Sequence, residues 1–261
     1  MLNPHTRDLP TPFQLFRYIT GSEHLHFGLF ESLEEPIANA QERMMSRLLD
    51  LFPTQVAQVL DVGCGIGGTS VTLAQRDLRV VGFAPDEGLM TYARLLAKES
   101  GVAERTRFHA QGLFEFEPTE GDCFDVVISQ ESLQYIHPLE QTMACLRQRV
   151  RPGGRLIIGD QVLRDPRGKS MVQFHSSEDI LALAQSNGFS LLSHDDITEQ
   201  ASLTPAVSVA KLVSEGPAIL EYFGDPTGSL KHDLEVCIRN GKEEYEAYQN
   251  GQIGYELFSF E

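Results

Sequence analysis

Between Val59 and Ser70 the chain reads Val-Leu-Asp-Val-Gly-Cys-Gly-Ile-Gly-Gly-Thr-Ser, and no other stretch limits the fold as strongly. An apolar run ends in an acid, then in closely spaced glycines, then in residues that open a helix. That order predicts a buried strand, a tight turn and a helix N-terminus. The glycines let the turn reach unusual backbone angles and let a ligand lie against bare main chain. Gly63, Gly65 and Gly68 satisfy G-x-G-x-x-G, whose pyrophosphate ligand would rest on the helix N-terminus. Asp61 makes a second pattern, D-x-G-x-G-x-G, and an acid at the mouth suits an ammonium-bearing ligand better than a pyrophosphate. On these residues alone both readings stand, beside a turn that binds nothing.

The rest of the chain alternates strand and helix. Residues 78–83, 105–111, 124–129 and 155–160 read as strands, with helices over 69–76, 86–100 and 138–150 between or after them and a Pro-Gly-Gly turn at 152–154. Val126-Val127-Ile128 is apolar throughout, as a buried parallel strand should be. The expected fold is therefore α/β, a doubly wound parallel sheet with ligands outside the carboxyl ends of its strands. Ser176 or Ser177 caps a helix running to Asn187, Phe189 to Ser193 is a sixth strand, 197–249 is helical, and Ile253 to Phe260 alternates as a last strand. An amphipathic helix is expected over 35–51. The preceding arm is rich in rings, with Phe13, Phe16, Tyr18, Phe27 and Phe30, and carries His24 and His26. It either packs as ordinary core or closes over the glycine turn, where π faces favour a cationic centre.

At 261 residues with a formal net charge of −16, the chain can bury a large core and repels nucleic-acid phosphate and anionic membranes. Its start shows no charged segment followed by an apolar one, and no stretch has the length of a membrane span. Cys64, Cys123, Cys145 and Cys237 form no C-x-x-C pair, so reduced thiols in a cytoplasm are expected and no metal site is suggested. Cys64 reads as a small residue tolerated beside a ligand. The expected partner is a small molecule, with neither nucleic acid nor membrane; oligomeric state is left open.

Several motifs in order resemble a known family. Val59 to Ser70, Phe124-Asp125-Val126-Val127-Ile128-Ser129 and Arg151-Pro152-Gly153-Gly154 resemble class I S-adenosylmethionine-dependent methyltransferases from about residue 55 to 195. Ser129 to Ile136, Gly188-Phe189 and His24 to Gly28 are similar to the small-molecule branch, with tocopherol, sterol and geranyl diphosphate C-methyltransferases and sugar O- and amine N-methyltransferases. The resemblance implies a seven-stranded Rossmann-like sheet whose last strand enters antiparallel. The chain's own pattern gives the remaining organisation: an N-terminal helical arm or lid over 1–54, a methyltransferase domain over 55–261 and, within it, a helical insertion at about 197–249 that reads as a substrate cap. The resemblance also implies S-adenosyl-L-methionine as cofactor, held by Asp61, Gly63, Gly65, Gly67, Ala84, Pro85, Gly112, Leu113 and Gln130.

The sequence departs from the family at two of these positions. Ala84 stands where an acid usually accepts both ribose hydroxyls, and Leu113 where one often meets the adenine amine. A bond to a charged group contributes roughly 1.5–3 kcal/mol. Asp86 either substitutes for the missing acid or caps the next helix. For a proton-accepting group the candidates are Glu131, at the lip of the fourth strand, with His24 and His26 in the arm; His137 and His175 are further histidines, and Asp160, Tyr18 and Tyr135 are possible pocket residues. The leading function is methyl transfer to carbon, oxygen or nitrogen of a small molecule, including prenyl or other natural-product metabolites. The alternatives are a non-methylating protein or cyclase on the same fold, and an oxidoreductase, against which Ala84 also speaks.

Overall fold

The computed structural model describes residues 4–117, 123–165, 174–225 and 227–261; residues 1–3 of the expected arm lie outside them. Among the described residues eight strands form one sheet: β1 (Gln58–Val62), β2 (Arg79–Ala84), β3 (Thr106–Ala110), β4 (Phe124–Gln130), β5 (Val150–Leu163), β6 (His175–Ser176), β7 (Leu191–Asp196) and β8 (Ile253–Phe260). Their order is β3-β2-β1-β4-β5-β8-β7, with the two-residue β6 beside β5. β1 to β5 pair in parallel, while β8 runs antiparallel between β5 and β7. The alternating segment 253–260 is thus the expected inserted strand.

The order reverses between β1 and β4, and their register aligns Val62 with Phe83 of β2 and Ser129 of β4. A crevice opens at such a switch point, beyond the carboxyl ends of the strands. Because side chains alternate along a strand, Val59, Val80, Val126 and Ile157 build the core on one face. Leu60, Val81, Val127 and Leu156 build the other.

Helices α3 (Gly68–Ala74), α4 (Glu87–Glu99), α5 (Leu139–Arg149) and α6 (Ser177–Ser186) cover the sheet. The arm contributes α1 (Thr11–Thr20) and α2 (Ile37–Asp50), and α7 (Thr198–Ala201), α8 (Leu203–Phe223) and α9 (Ser229–Gln249) fill the stretch before β8. A third apolar cluster joins Leu15, Ile19, Phe30, Ile37 and Ala40 of the arm to Val207, Leu212 and Ile219 of α8 and Leu230 and Leu234 of α9. The arm and the α8–α9 hairpin therefore share a core of their own.

The main differences from the sequence reading are the bounds of β5 and β7 and one short strand, β6, that was not read. β5 begins at Val150, and Pro152-Gly153-Gly154 is a bulge inside it: Phe124 pairs with Val150, but Val126 already pairs with Arg155. Gly153, at φ 71°, takes up the extra residues. β7 starts at Leu191, not Phe189, whose ring is buried in the second core. β6 is too short to leave a periodic signal.

Candidate active site

The glycine turn leaves β1 and enters α3 as expected. Gly63, Gly65 and Gly67 have φ of 70°, 55° and 84°, angles that side chains other than glycine's rarely adopt. At Gly63 a Cβ would sit 2.3 Å from the Cβ of Ser132; at Gly68 it would strike the carbonyl oxygen of Glu23 at 2.1 Å. The bare turn thus admits the loop after β4 on one side and the arm on the other. Asp61 is buried and accepts a 2.6 Å bond from the Ser70 hydroxyl, tying the strand to α3. Burial pushes its carboxyl up to about 6.

A cavity of about 680 Å³ opens beside this turn, within the range of small-molecule sites. Asp61, Gly63, Gly65, Ala84, Pro85, Gly112, Leu113 and Gln130 line it, as do Glu131 and His26. Gly67 and His24 do not. Gly67 precedes α3, packed toward Ala93 and Phe108. His24 lies behind His26, ring centroids 4.7 Å apart, with Nε2 3.4 Å from the Thr72 hydroxyl. Burial holds its ring at about 3 and that of His26 at about 4, so both are neutral.

Asp86 caps α4, its carboxylate accepting from the Leu89 N–H at 2.9 Å; it is engaged as a cap. Glu115 does the same for the Gly112 N–H at 3.2 Å. The walls at Ala84, Pro85 and Leu113 therefore stay apolar. Cys64 is buried, which raises its thiol well above the ordinary range and removes it as a nucleophile. Tyr135 and His137 line the cavity, whereas His175 stands against His137 with ring centroids 5.1 Å apart. Tyr18 is elsewhere, packed on Tyr222 and Phe223 in the helical layer.

On the cavity wall just after β4, Glu131 has φ of 52°, its N–H bonded to the Gly159 carbonyl at 2.8 Å. A non-glycine residue in this region costs about 1–2 kcal/mol, and such strain gathers at functional sites. The arm's Phe27 N–H donates to Glu131 Oε1 at 2.6 Å and the Tyr255 hydroxyl donates to the same oxygen at 2.8 Å. Desolvation outweighs both donors and raises the carboxyl to about 8. Behind it Asp160 accepts from the N–H groups of Leu133 and Gln161 and is raised to about 7, again by burial. Gln161 Nε2 bridges Glu244 at 2.7 Å and Tyr248 at 2.9 Å.

Sequence reasoning placed Glu131 and Asp160 here but missed Tyr255, Gln161, Glu244 and Tyr248. Two signals were available: polar Asp160-Gln161 at the end of an otherwise apolar strand, and Glu244 with Tyr248 at i, i+4 on one helix face. Neither reveals that β8 and α9 converge on the carboxyl ends of β4 and β5. The arm is held over both ends. Gln41 Nε2 donates to the carbonyls of His24 and His26, and Gly28 N–H donates to Thr204 of α8.

This geometry has known counterparts. The GfsG methyltransferase of Streptomyces halstedii is 28% identical over 255 residues, covering 91% of this chain and 87% of that one. Several further curated methyltransferases align over about half of their own length. The cyclase SpnF superposes with a TM-score of 0.81 at 19% identity, over 97% of this chain and 92% of that one. Geranyl diphosphate C-methyltransferase from Streptomyces coelicolor A3(2) superposes with a TM-score of 0.73 at 17% identity, over 99% and 98%. The family model described as a methyltransferase domain matches residues 60–158. That match opens on the strand carrying Asp61 and closes in the strand carrying Asp160, so the chain carries a methyltransferase domain, and its relatives and structural neighbours support S-adenosylmethionine-dependent methyl transfer to a small molecule.

Proposed function

We propose that methyl transfer in this chain goes to an oxygen or nitrogen that gives up a proton, and that Glu131 takes that proton. The observation that carries this reading is the Glu131 carboxyl at the cavity lip, held on Oε1 by Phe27 and Tyr255 and raised to about 8. Its other oxygen makes no hydrogen bond to a described residue. S-adenosylmethionine supplies a sulfonium methyl to in-line attack: the acceptor's lone pair forms the new bond as the carbon–sulfur bond breaks, and that electron pair stays on sulfur. The acceptor's proton moves to Glu131, whose affinity for it suits work near neutral pH.

The other end of the cavity fits the donor. Gly63 and Gly65 bring main chain to it, Asp61 supports the turn through Ser70, and Gln130 Nε2, buried and unpartnered beside Thr69, offers a hydrogen bond. Ala84, Pro85, Gly112 and Leu113 form a largely apolar slot for its nucleoside. Residues 1–54 act as a lid on a domain of 55–261, and 197–249 as a cap; the support is the arm's shared core with α8 and α9 and its bonds to Glu131 and Thr204. No helix among the described residues is long and apolar enough to cross a membrane. A cytoplasmic enzyme without nucleic-acid partners accords with its four free thiols and its net charge of −16.

The test is methyl transfer from labelled S-adenosylmethionine to a panel of hydroxyl- and amine-bearing molecules. Glu131→Gln keeps the shape and deletes the charge, and it should slow turnover by roughly 10²-fold to 10⁴-fold while leaving S-adenosylhomocysteine affinity within about threefold. Turnover at the parent rate would make Glu131 a bystander.

A further inference from the structure

We infer that Arg149, which does not itself line the cavity, is a positioning residue for the donor: its guanidinium fixes the turn at 112–116 as a cavity wall and so sets how tightly the donor's nucleoside is held. The inference rests on the reading of Ala84, Pro85, Gly112 and Leu113 as the nucleoside slot and adds to it a residue outside the site.

The turn after β3 is closed on itself by the Phe116 N–H, which donates to the Gly112 carbonyl at 3.0 Å, and by the Glu115 carboxylate on the Gly112 N–H. Leu113 and Phe116 bury their side chains in the second core. The polar tie runs to α5. Arg149, the last residue of that helix, is 6% exposed. Its Nη2 donates to the carbonyls of Leu113 at 3.1 Å and Phe116 at 2.6 Å, while Nη1 donates to the Cys145 carbonyl at 2.9 Å and keeps the group anchored on its own helix. The guanidinium carbon lies 5.8 Å from the centre of the Phe116 ring. That ring stacks on Phe83 at 4.9 Å, and the Phe83 carbonyl accepts from the N–H groups of Gly63 and Cys64 at 2.9 and 3.1 Å. One buried cation thus joins α5 to the turn, and through the turn to β2 and the glycine cradle.

These contacts call for an arginine. Both acceptors are main-chain carbonyls whose direction the turn sets, and the two hydrogens of Nη2 reach them at a fixed angle in the guanidinium plane. A lysine ammonium is a point charge on a flexible stem and does not reproduce that fork. Bonds from a charged donor are stronger than neutral ones, and a buried carbonyl left unmatched costs free energy. Without the guanidinium the turn relaxes toward water and takes Gly112, Leu113 and Phe114 with it, all three of which line the cavity. A gap of under about 1 Å at a packed wall already forfeits part of its contact energy. Gly63 and Cys64 keep their own bonds to Phe83, so the loss falls on the nucleoside first.

The experiment is calorimetry on the full chain with two ligands that share the nucleoside: S-adenosylhomocysteine, and 5′-methylthioadenosine, which lacks the amino-acid end. Arg149→Met keeps an apolar stem over Phe116 and removes the donors. Affinity for both ligands should fall at least about tenfold, by factors equal within about threefold, and Arg149→Lys should lose about threefold to tenfold. Ile180→Ala opens a gap in the same second core from α6; it should lower the melting temperature and leave both affinities within about twofold. Unchanged affinity in both Arg149 variants, or an equal loss in Ile180→Ala, makes Arg149 an ordinary core residue and overturns the inference. Loss of S-adenosylhomocysteine affinity with methylthioadenosine binding intact does the same. Where Arg149→Met does not fold, unchanged affinity in Arg149→Lys decides against the inference. A parent chain that binds S-adenosylhomocysteine but not methylthioadenosine removes the nucleoside slot and the inference with it, and that failure shows before any variant is made.

Discussion

The two ends of the cavity are built differently. The end proposed for the donor is built around one continuous stretch, Asp61 to Thr69, tied by one serine bond, with Ala84, Pro85, Gly112, Leu113 and Gln130 adding only short loop ends. The acceptor end draws Glu131 from the end of β4, Asp160 and Gln161 from β5, Glu244 and Tyr248 from α9, Tyr255 from β8 and Phe27 from the arm. A local end can be specified by spacing and glycine content. An assembled end is specified only by the tertiary fold, and its carboxyls, gathered in a dry wall, are displaced far from their ordinary values.

The comparison breaks most sharply at Gly65. Gly65→Val places a β-branched residue at a φ of 55° on the cavity wall, and S-adenosylhomocysteine affinity should fall more than about a hundredfold by calorimetry. If donor affinity holds, the glycine turn is not the cradle.

A proton-dependent rate is the mark of the acceptor end. Burial raises Glu131 to about 8, and only its ionised form accepts a proton. Turnover should therefore fall as pH drops below about 8, approaching tenfold per pH unit well below it, and Glu131→Gln should flatten that limb. A bound sulfonium moves the limb toward lower pH without changing its sign. A rate independent of pH between 6 and 9 would sink the role given to Glu131.

Tyr255→Phe removes one donor from the Glu131 carboxylate. The limb should shift to higher pH and turnover at pH 7 should drop by about tenfold, the size of one hydrogen bond to a charged group. Recovery of the parent rate at higher pH separates this positioning effect from loss of fold.

The smallest change tests the donor end's missing acid. Asp86→Ala deletes the cap on Leu89 N–H and should cost about 1 kcal/mol of stability, about 2–4 °C in melting temperature for a chain of this size. S-adenosylhomocysteine affinity should stay unchanged. A tenfold loss would instead give Asp86 the ribose contact that Ala84 cannot make.

This asymmetry explains what was legible. Strands β1 to β5 and their helices could be read because each carries its own period, and the glycine turn because its chemistry is consecutive. Glu131 was reachable by its position after β4. Tyr255 was not, because a tyrosine in an alternating strand reads as core, and its hydroxyl finds Glu131 only once β8 has slotted antiparallel beside β5. His26 was read as a possible proton acceptor in a lid, yet its Nδ1 meets the next residue's carbonyl, a contact that spacing cannot show.

The third apolar cluster has a consequence for redesign. Leu15, Ile19, Phe30, Ile37 and Ala40 pack with residues of α8 and α9, apart from the two cores that flank the sheet. Exchanging α8 and α9 alone with those of another methyltransferase would leave the arm without this partner surface and should loosen Phe27 from Glu131. Moving the arm with them would keep that shared core but would cut into the sheet core through Met44, Met45 and Leu48 and strip Glu23 from its seat on Gly68, so the two pieces cannot be exchanged without repacking the glycine turn.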